Sequence, residues 1–206
     1  EQLERSGGRD LAQLLTEQTG LYIGGANSNA GKDKSLYLRG SRVEHTLITI
    51  DGIPAYDASG IGGNFDIRNL SLSNIERIEI LKGSQSTLYG TDAIAGVINI
   101  ITRKSGTAPL GGQTTASYGS NGTFRGNAGL NDRKGRVDYN ASYSVHTTKG
   151  INEAVDRGSY PVVDKDKFLQ HSIQWGFGYK PTENINLQSF LRYNKVKGDL
   201  DQGNFT

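Results

Sequence analysis

The chain has no cysteine and no methionine among its 206 residues. Without cysteine it can form neither a disulfide framework nor a thiolate metal site. It also lacks an apolar run of about 18 residues, so no segment is predicted to cross a membrane as a helix. Lysine and arginine total 23 against 21 aspartates and glutamates, and this balance gives no electrostatic reason to expect nucleic acid as a partner. The missing methionine at position 1 predicts that the recorded start is not the translated one.

Motifs of common enzyme classes are missing as well. The three histidines, His45, His146 and His171, do not have the spacing of a zinc-binding HExxH helix, and the GxSxG turn of a serine nucleophile does not occur. The sequence also has no GxxxxGK[ST] phosphate-binding loop. We therefore expect a protein that is not an enzyme and has no catalytic cofactor.

Two segments rich in β-branched residues, Ile75–Leu81 and Val97–Thr102, are the most informative part of the chain. Each is far shorter than the about 20 apolar residues of a membrane-spanning helix, and both are predicted to be short buried strands. The segment between them, Gly83–Gly96, is rich in glycine, serine and threonine, so the backbone can turn back there. The pattern predicts strand, loop and strand within a mixed α and β domain.

Residues 1–105 as a whole show this mixed pattern. Asp10 is placed to cap a short helix whose apolar face consists of leucines. Leu36–Arg39 and Thr46–Asp51 are predicted to be short strands. The glycine-rich residues 55–66 contain too few apolar side chains to be ordered by burial, and we expect a surface loop there.

Residues 106–206 have a different pattern, in which apolar and polar side chains alternate. In Arg136–Thr147 the alternation continues over about 11 residues, which is the length of a tilted membrane-spanning strand. Four other segments repeat it with varying strength. The five candidate strands, joined as up-and-down hairpins, are Gln113–Gly119, Thr123–Leu130, Arg136–Thr147, Phe168–Tyr179 and Ile185–Tyr193.

Two architectures are consistent with such strands, a membrane β-barrel and a soluble antiparallel sandwich. The strands are longer than the about 5–6 residues usual in soluble proteins, and Trp175 and Tyr179 lie where a barrel carries its aromatic girdle. The connection at Asn121-Gly122 is short, whereas Lys149–Asp166 is long and polar, as in outer-membrane barrels. Five strands cannot close a barrel of at least about 8 strands, so we expect the N-terminal part of a longer polypeptide.

Four motifs in residues 36–104 resemble the plug of TonB-dependent outer-membrane receptors. They are YLRG at 37–40, ITIDGIP at 48–54, IERIEILKG at 75–83 and STLYGTDAIAGVINIIT at 86–102, in the order and spacing of the family. The resemblance implies an α+β plug domain, residues 1–105, followed in residues 106–206 by the first strands of a transmembrane antiparallel β-barrel with about 22 strands when complete. It also implies a location in the bacterial cell outer membrane.

The resemblance further implies an energy source and a cargo. Receptors of this family are driven by TonB, which adds a strand to a short N-terminal box, and that box is expected to precede Glu1. GTDAIAGVINIIT, ASYGSNGTF and VDKDKFLQ are most similar to the receptors for cobalamin, so import of cobalamin or a related corrinoid is implied. A siderophore receptor of the same family is the alternative, and a soluble β-sandwich binding or adhesion module is the alternative from another class. A surface lipoprotein that caps the barrel is a further candidate partner.

The plug loops are expected to bind the cargo. A corrinoid is rich in amide side chains and needs neutral polar partners and an aromatic surface more than charge. An ordinary solvated loop explains each position equally well. The predicted substrate-binding residues are Tyr56, Asp57, Ser59, Ile61, Asn64, Gln85 and Ser86.

A second predicted group holds the plug in the barrel. In the family, basic residues at the positions of Arg39 and Lys82 pair with glutamates of the barrel wall, and a half-broken buried ion pair is costly. Many relatives carry arginine at the second position, and lysine cannot form its bidentate contact, which predicts a weaker latch here. Glu76 and Arg77 are predicted to belong to the same polar layer, although an ordinary charged strand face explains them equally.

A calcium site is the last expectation. VDKDKFLQ at 163–170 resembles an acidic calcium-binding loop of the cobalamin receptors, and hard oxygen ligands from neighbouring loops bind this ion. Acidic loops that are merely solvated are the alternative. The predicted ligands, in two candidate extracellular loops, are Asp164, Asp166, Asp199 and Asp201.

Overall fold

The computed structural model describes residues 9–58, 61–72, 75–103, 110–153 and 165–199. They fall into two compact units. The first contains the described residues up to Ser28 together with Asp33–Arg103, and the second contains Asn29–Lys32 and the described residues from Leu110 onward. In these ranges no helix has the length and apolar character needed to span a membrane.

The first unit begins with the helix α1 (Leu11–Thr16), followed by the antiparallel pair β1 (Leu21–Gly24) and β2 (Ser35–Leu38). The predicted cap of α1 is present. The backbone N–H of Gln13 donates to the Asp10 carboxylate at 2.8 Å, and the backbone N–H of Asp10 donates to the Gln13 side chain at 2.9 Å. This capping box satisfies two amide groups at the helix start.

A four-stranded sheet completes the first unit. Its strands are β3 (Thr46–Ile50), β4 (Ile53–Pro54), β5 (Ile75–Lys82) and β6 (Gly96–Thr102), and their order in the sheet is β4-β3-β6-β5. Strands β3 and β6 are parallel, and the other neighbours are antiparallel. A short helix, α2 (Ser86–Tyr89), lies between β5 and β6, where the sequence predicted only a loop.

The two β-branched strands differ in burial. Val97, Ile98 and Ile100 of β6 are fully buried, as predicted. On β5, Ile75 is the one buried residue of the eight, so the prediction of a buried strand is wrong there. The reason is its position at the edge of the sheet and the charged residues that alternate with its apolar ones.

The predicted turn at Asp51-Gly52 joins β3 to β4. Both residues have positive φ angles, 53° and 83°, as a two-residue hairpin turn requires. The Asp51 carboxylate accepts hydrogen bonds from the Thr102 backbone N–H at 2.9 Å and from its hydroxyl at 2.7 Å. The turn is thereby attached to the end of β6.

The second unit contains a five-stranded antiparallel sheet in which each strand pairs with its sequence neighbours. All five predicted strands are present, and most extend beyond their predicted ends. The fourth, Phe168–Thr182, has 15 residues. The strands are β7 (Gly111–Gly119), β8 (Thr123–Lys134), β9 (Val137–Thr148), β10 (Phe168–Thr182) and β11 (Ile185–Gly198).

The two faces of this sheet distinguish the two architectures. On β10, Gln170, Ser172 and Gln174 are buried, at most 8% exposed, whereas Trp175 and Phe177 are 41% and 39% exposed. A soluble sandwich buries its apolar face, and a membrane barrel turns that face outward and its polar face inward. The exposed aromatic face and buried polar face confirm the predicted fold class, a plug followed by the first strands of a membrane barrel.

Candidate functional site

The first unit contains a cavity of ≈ 460 Å³, within the range of about 300–1,000 Å³ typical of ligand pockets. Its walls come from residues 33–36 and 43–48, from the segment between 55 and 68, and from Thr91 and Asp92. Three of the predicted substrate-binding residues contribute to the lining. They are Tyr56, Asp57 and Asn64.

The glycine-rich segment bends back on itself at this cavity. Gly62 and Gly63 have positive φ angles of 78° and 67°, a conformation that glycine adopts without strain. The backbone N–H of Asp57 donates to the carbonyl of Gly63 at 3.0 Å. This bond closes the loop on which the predicted residues lie.

Tyr56 connects this loop to the one that follows β5. Its hydroxyl donates to the Asp92 carboxylate at 3.0 Å. That hydrogen bond, with smaller contributions from burial and from the charge of Asp92, raises the pKa of Tyr56. The tyrosine therefore stays neutral at physiological pH, with an exposed ring (56%) beside the cavity.

Arg68 is one of the two cationic side chains of the cavity lining. Its guanidinium contacts Asp66 at 2.7 Å and Asp33 at 2.6 Å. Burial lowers the pKa of Arg68, but the hydrogen bonds and charges of Asp66 and Asp33 outweigh this, and the pKa is raised. The side chain of Arg68 is therefore a fixed positive charge held between two carboxylates.

The lining as a whole is rich in acceptors and negative. It contains two cationic side chains, Lys34 and Arg68, and five carboxylates. Such a surface attracts groups that donate hydrogen bonds or carry positive charge, and it repels anions. The five carboxylates belong to Asp33, Glu44, Asp57, Asp66 and Asp92.

The other predicted substrate-binding residues lie elsewhere. Gln85 and Ser86 are half-buried at the start of α2, and among the described residues they are not part of the cavity lining, although Thr91 and Asp92 of the same loop are. The backbone of Ile61 begins the 3₁₀ turn Ile61–Gly63. Ser59 lies outside the described residues.

The predicted latch residues occupy two places. Arg39 follows β2 and Lys82 ends β5; both are exposed, and neither forms an ion pair with another described residue. Arg77 contacts Glu76 at 3.1 Å and Glu79 at 2.8 Å on β5. The latch residues of β5 thus include a local cluster of charges.

That cluster continues across the sheet. Glu79 accepts from Asn99 of β6 at 3.0 Å, and Asn99 accepts from the Thr49 hydroxyl of β3 at 2.8 Å. The hydrogen bonds to Arg77 and Asn99 lower the pKa of Glu79. A polar row therefore connects the exposed edge strand to the interior of the first unit, where Thr49 is fully buried.

Two of the four predicted calcium ligands are described. Asp166 is 6% exposed, and one of its carboxylate oxygens accepts from the Asn29 side chain at 2.5 Å. Asp199 is exposed at the end of β11. Within the described ranges no three acidic or histidine side chains form a metal-binding group, and Asp164 and Asp201 lie outside those ranges.

Sequence reasoning missed Arg68, Asp66 and Asp92 as part of the cavity. The first two had a local signal, because Asp66 caps the turn Ile67–Asn69 by accepting from the backbone N–H of Arg68 at 2.9 Å. An aspartate side chain in a loop often accepts from the backbone N–H two residues further along the chain, whatever residue stands there. Asp92 had no local signal, since its partner Tyr56 lies 36 residues earlier.

Residues 1–97 match the family model described as TonB-dependent Receptor Plug Domain. The fold is similar to that of the ferric enterobactin receptor PfeA of Pseudomonas aeruginosa (22% identity, TM-score 0.68, 92% of this chain and 31% of that one). It is also similar to the siderophore receptor PirA of Acinetobacter baumannii (20%, 0.68, 92% and 29%) and to the copper transporter OprC (18%, 0.70, 92% and 29%). The chain spans about three tenths of the length of these structures.

These similarities bear on three of the predictions made from the sequence. The matched family model describes a receptor domain, in agreement with the prediction that the chain is not an enzyme. The plug-and-barrel fold is that of receptors in the bacterial outer membrane, which confirms the predicted location. The names of these three structures refer to siderophores and copper. They therefore do not support the predicted resemblance to the receptors for cobalamin.

Proposed function

Since the N-terminal part of the chain is a TonB-dependent receptor plug domain followed by barrel strands, we propose that it belongs to an active transporter of the outer membrane. TonB supplies the energy by pairing with a short N-terminal box of the receptor. Arg39 and Lys82, both exposed and unpaired among the described residues, serve as the latch that this pull releases, together with Glu76 and Arg77.

The proposed cargo is cobalamin or a related corrinoid, captured at the plug cavity by Tyr56, Asp57 and Asn64. The supporting observation is the lining, where carboxylates outnumber cations by five to two beside an exposed tyrosine. Amide groups of a corrinoid donate hydrogen bonds to such acceptors, and its flat ring packs on an aromatic side chain. Ser59, Ile61, Gln85 and Ser86 are proposed as further contacts.

A ferric siderophore is the second candidate, favoured by the solved structures, one of which is a complex of PfeA with enterobactin. The charge of the cavity bears on this alternative too. The carboxylates of the lining would repel a negatively charged chelate, whereas they would not repel a neutral one. A siderophore receptor with this lining is therefore expected to prefer neutral chelates.

Equilibrium binding to the purified full-length receptor tests the proposal. We expect cyanocobalamin to bind, a neutral ferric hydroxamate to bind weakly or not at all, and an anionic ferric catecholate not to bind. Tyr56→Phe removes the hydrogen bond to Asp92 and should weaken binding about fivefold, equivalent to about 1 kcal/mol. Tyr22→Phe, at an exposed tyrosine of β1 that is not among the residues of the cavity lining, is the matched control.

Two outcomes distinguish the candidates. Tight binding of a ferric chelate without binding of any corrinoid would refute the proposed corrinoid cargo in favour of a siderophore. The proposal that the protein is a transporter would still stand. Binding of neither class would refute the proposal for the cavity.

A calcium ion held by Asp164, Asp166, Asp199 and Asp201 is the last part of the proposal. One carboxylate oxygen of Asp166 already accepts from the Asn29 side chain at 2.5 Å, so the ion and this hydrogen bond would have to be accommodated by the same carboxylate. Cyanocobalamin affinity measured with calcium and after chelation tests it, and an unchanged affinity would remove calcium from the account.

A further inference from the structure

Three of the five carboxylates of the cavity lining are in ion pairs. Arg68 contacts Asp33 at 2.6 Å and Asp66 at 2.7 Å. Glu44 contacts the arginine two residues before it at 3.0 Å. Asp92 is different, because it forms no ion pair with another residue in the described part of the chain, where its partners are hydroxyl groups. Its negative charge is therefore not neutralised by an adjacent cation there.

Two neutral hydroxyl groups orient the carboxylate of Asp92. The Tyr56 hydroxyl donates to its Oδ2 atom at 3.0 Å, and the Thr91 hydroxyl donates to its Oδ1 atom at 3.1 Å. A carboxylate oxygen has two lone pairs, so each oxygen keeps a position for a further donor. The two hydroxyl groups thus fix the direction of the carboxylate without cancelling its charge.

The backbone that carries Asp92 is held on both sides. The next residue, Ala93, is fully buried in a small apolar cluster. Its carbonyl accepts from the Gln85 N–H at 2.9 Å, and the Ala95 N–H donates to the His45 carbonyl at 2.9 Å. A binding group on such a support keeps a defined position relative to the rest of the cavity.

A fixed carboxylate of this kind distinguishes between chemical groups by their charge. It forms charge-assisted hydrogen bonds with N–H donors, and these are shorter and stronger than bonds between neutral groups. An ammonium group adds Coulomb attraction, and an amide donates a hydrogen bond without a charge. An ionised carboxyl group has no donor and is repelled.

We propose that Asp92 is a specificity-determining residue of the cavity. It selects cargo that presents a nitrogen donor, and it ranks an ammonium group above an amide and an amide above a carboxylate. Tyr56 and Thr91 are positioning residues, which orient Asp92 through their hydroxyl groups. The inference rests on the proposed function, because it assigns recognition of the amide groups of a corrinoid to one residue.

Four forms of cyanocobalamin that differ at one propionamide side chain test this ranking on the purified full-length receptor. They are the parent amide, the carboxylic acid formed by its hydrolysis, the aminoethyl amide with its ammonium group, and the hydroxyethyl amide as the neutral match for length. Each propionamide position is tested in turn. At the position that contacts Asp92, the acid should bind about tenfold more weakly than the parent, equivalent to about 1.4 kcal/mol. The aminoethyl amide should bind more tightly than the hydroxyethyl amide.

Asp92→Asn separates the charge of this residue from its size. The variant keeps an oxygen that accepts from Tyr56, but it should bind the acid and the parent equally well at the position where wild type distinguishes them. A merely structural defect would weaken the binding of all four forms alike. Glu17→Gln removes an exposed carboxylate that is not among the residues of the cavity lining, and this control should keep the ranking of wild type.

The outcomes separate this inference from the proposed cargo. Equal binding of acid and parent by wild type at every position would overturn the assignment to Asp92 and leave the corrinoid cargo standing. A ranking that persists in Asp92→Asn would do the same. Failure of wild type to bind any of the four forms would refute the corrinoid cargo, and this inference with it.

Discussion

The side chain of Asn29, in the second unit, is 4% exposed and densely hydrogen-bonded. Its amide accepts from the Ile151 N–H and donates to the Ile151 carbonyl, both at 2.9 Å, and also donates to Asp166 at 2.5 Å. Its backbone N–H donates to Glu153 at 2.9 Å. Together these bonds fix the segment that follows β9.

Asn29→Ala should loosen that segment. The variant removes Asn29 as the partner of the part-buried N–H and carbonyl of Ile151 and of the buried Asp166 carboxylate. We expect this to cost about 1–3 kcal/mol. Hydrogen exchange of the full-length protein should show faster exchange at Ile151. Asn194→Ala on β11 is the control and should leave this exchange rate unchanged, and unchanged exchange in Asn29→Ala would contradict the account.

The residues of the cavity were predicted from the sequence only in part. The resemblance placed Tyr56, Asp57 and Asn64 in a binding loop, and the structure brings these three to one cavity. It could not supply Asp92, because the contact depends on the path of the chain between residues far apart in sequence. Asn29 was missed for the same reason, since its partners are 122 and 137 residues away.

At the scale of elements, strands were predicted better than the sheets they form. Alternation along β9 and β10 is a local property and is visible in the sequence. Burial of β5 was misjudged because it depends on whether a strand lies at a sheet edge, which the strand itself does not reveal. Helix α2, with four residues, is too short to show a helical period.

Gly96 marks the contact on which the pairing of β5 and β6 depends. A Cβ atom there would lie 2.2 Å from the Leu81 carbonyl oxygen and 2.6 Å from a methyl carbon of Leu38. Gly96→Ala therefore forces the backbone apart, and we expect destabilisation of about 3 kcal/mol or more. The thermal midpoint of the full-length protein and its amount in the outer membrane measure the effect.

The matched substitution is Gly112→Ala on β7, where the nearest atom would lie 3.9 Å from the new Cβ. It should leave both quantities near wild type. A Gly96→Ala protein as stable as Gly112→Ala would show that β5 and β6 do not pack as described.

At the scale of the whole molecule, the fold follows from two different sequence patterns. The plug motifs specify a domain with a buried core, in which Leu15, Ile23 and Leu38 are at most 2% exposed. The barrel strands specify a sheet whose apolar face is the exposed one. Alternation alone could not separate barrel from sandwich, because both alternate; the burial of the polar face decides it.

The position of a residue along the exposed apolar face, from the centre of the membrane to its surface, provides a test that this face contacts lipid. Ile173 lies within the apolar band, and Leu169 lies on the same face of β10 next to Lys197. Ile173→Lys should cost up to about 2–4 kcal/mol, and Leu169→Lys about 0–1 kcal/mol, since a lysine near the interface reaches water. Thermal unfolding of each full-length variant in lipid vesicles measures the difference, and equal costs would contradict a membrane-facing surface.

The central claim is that this chain belongs to a TonB-driven importer of a corrinoid. Accumulation of radiolabelled cyanocobalamin by cells carrying the full-length protein, with and without TonB, tests it most directly. The account predicts uptake that requires TonB and stops when the membrane is de-energised, while surface binding persists without TonB. Uptake that is equal with and without TonB, or the absence of both binding and uptake, would contradict it.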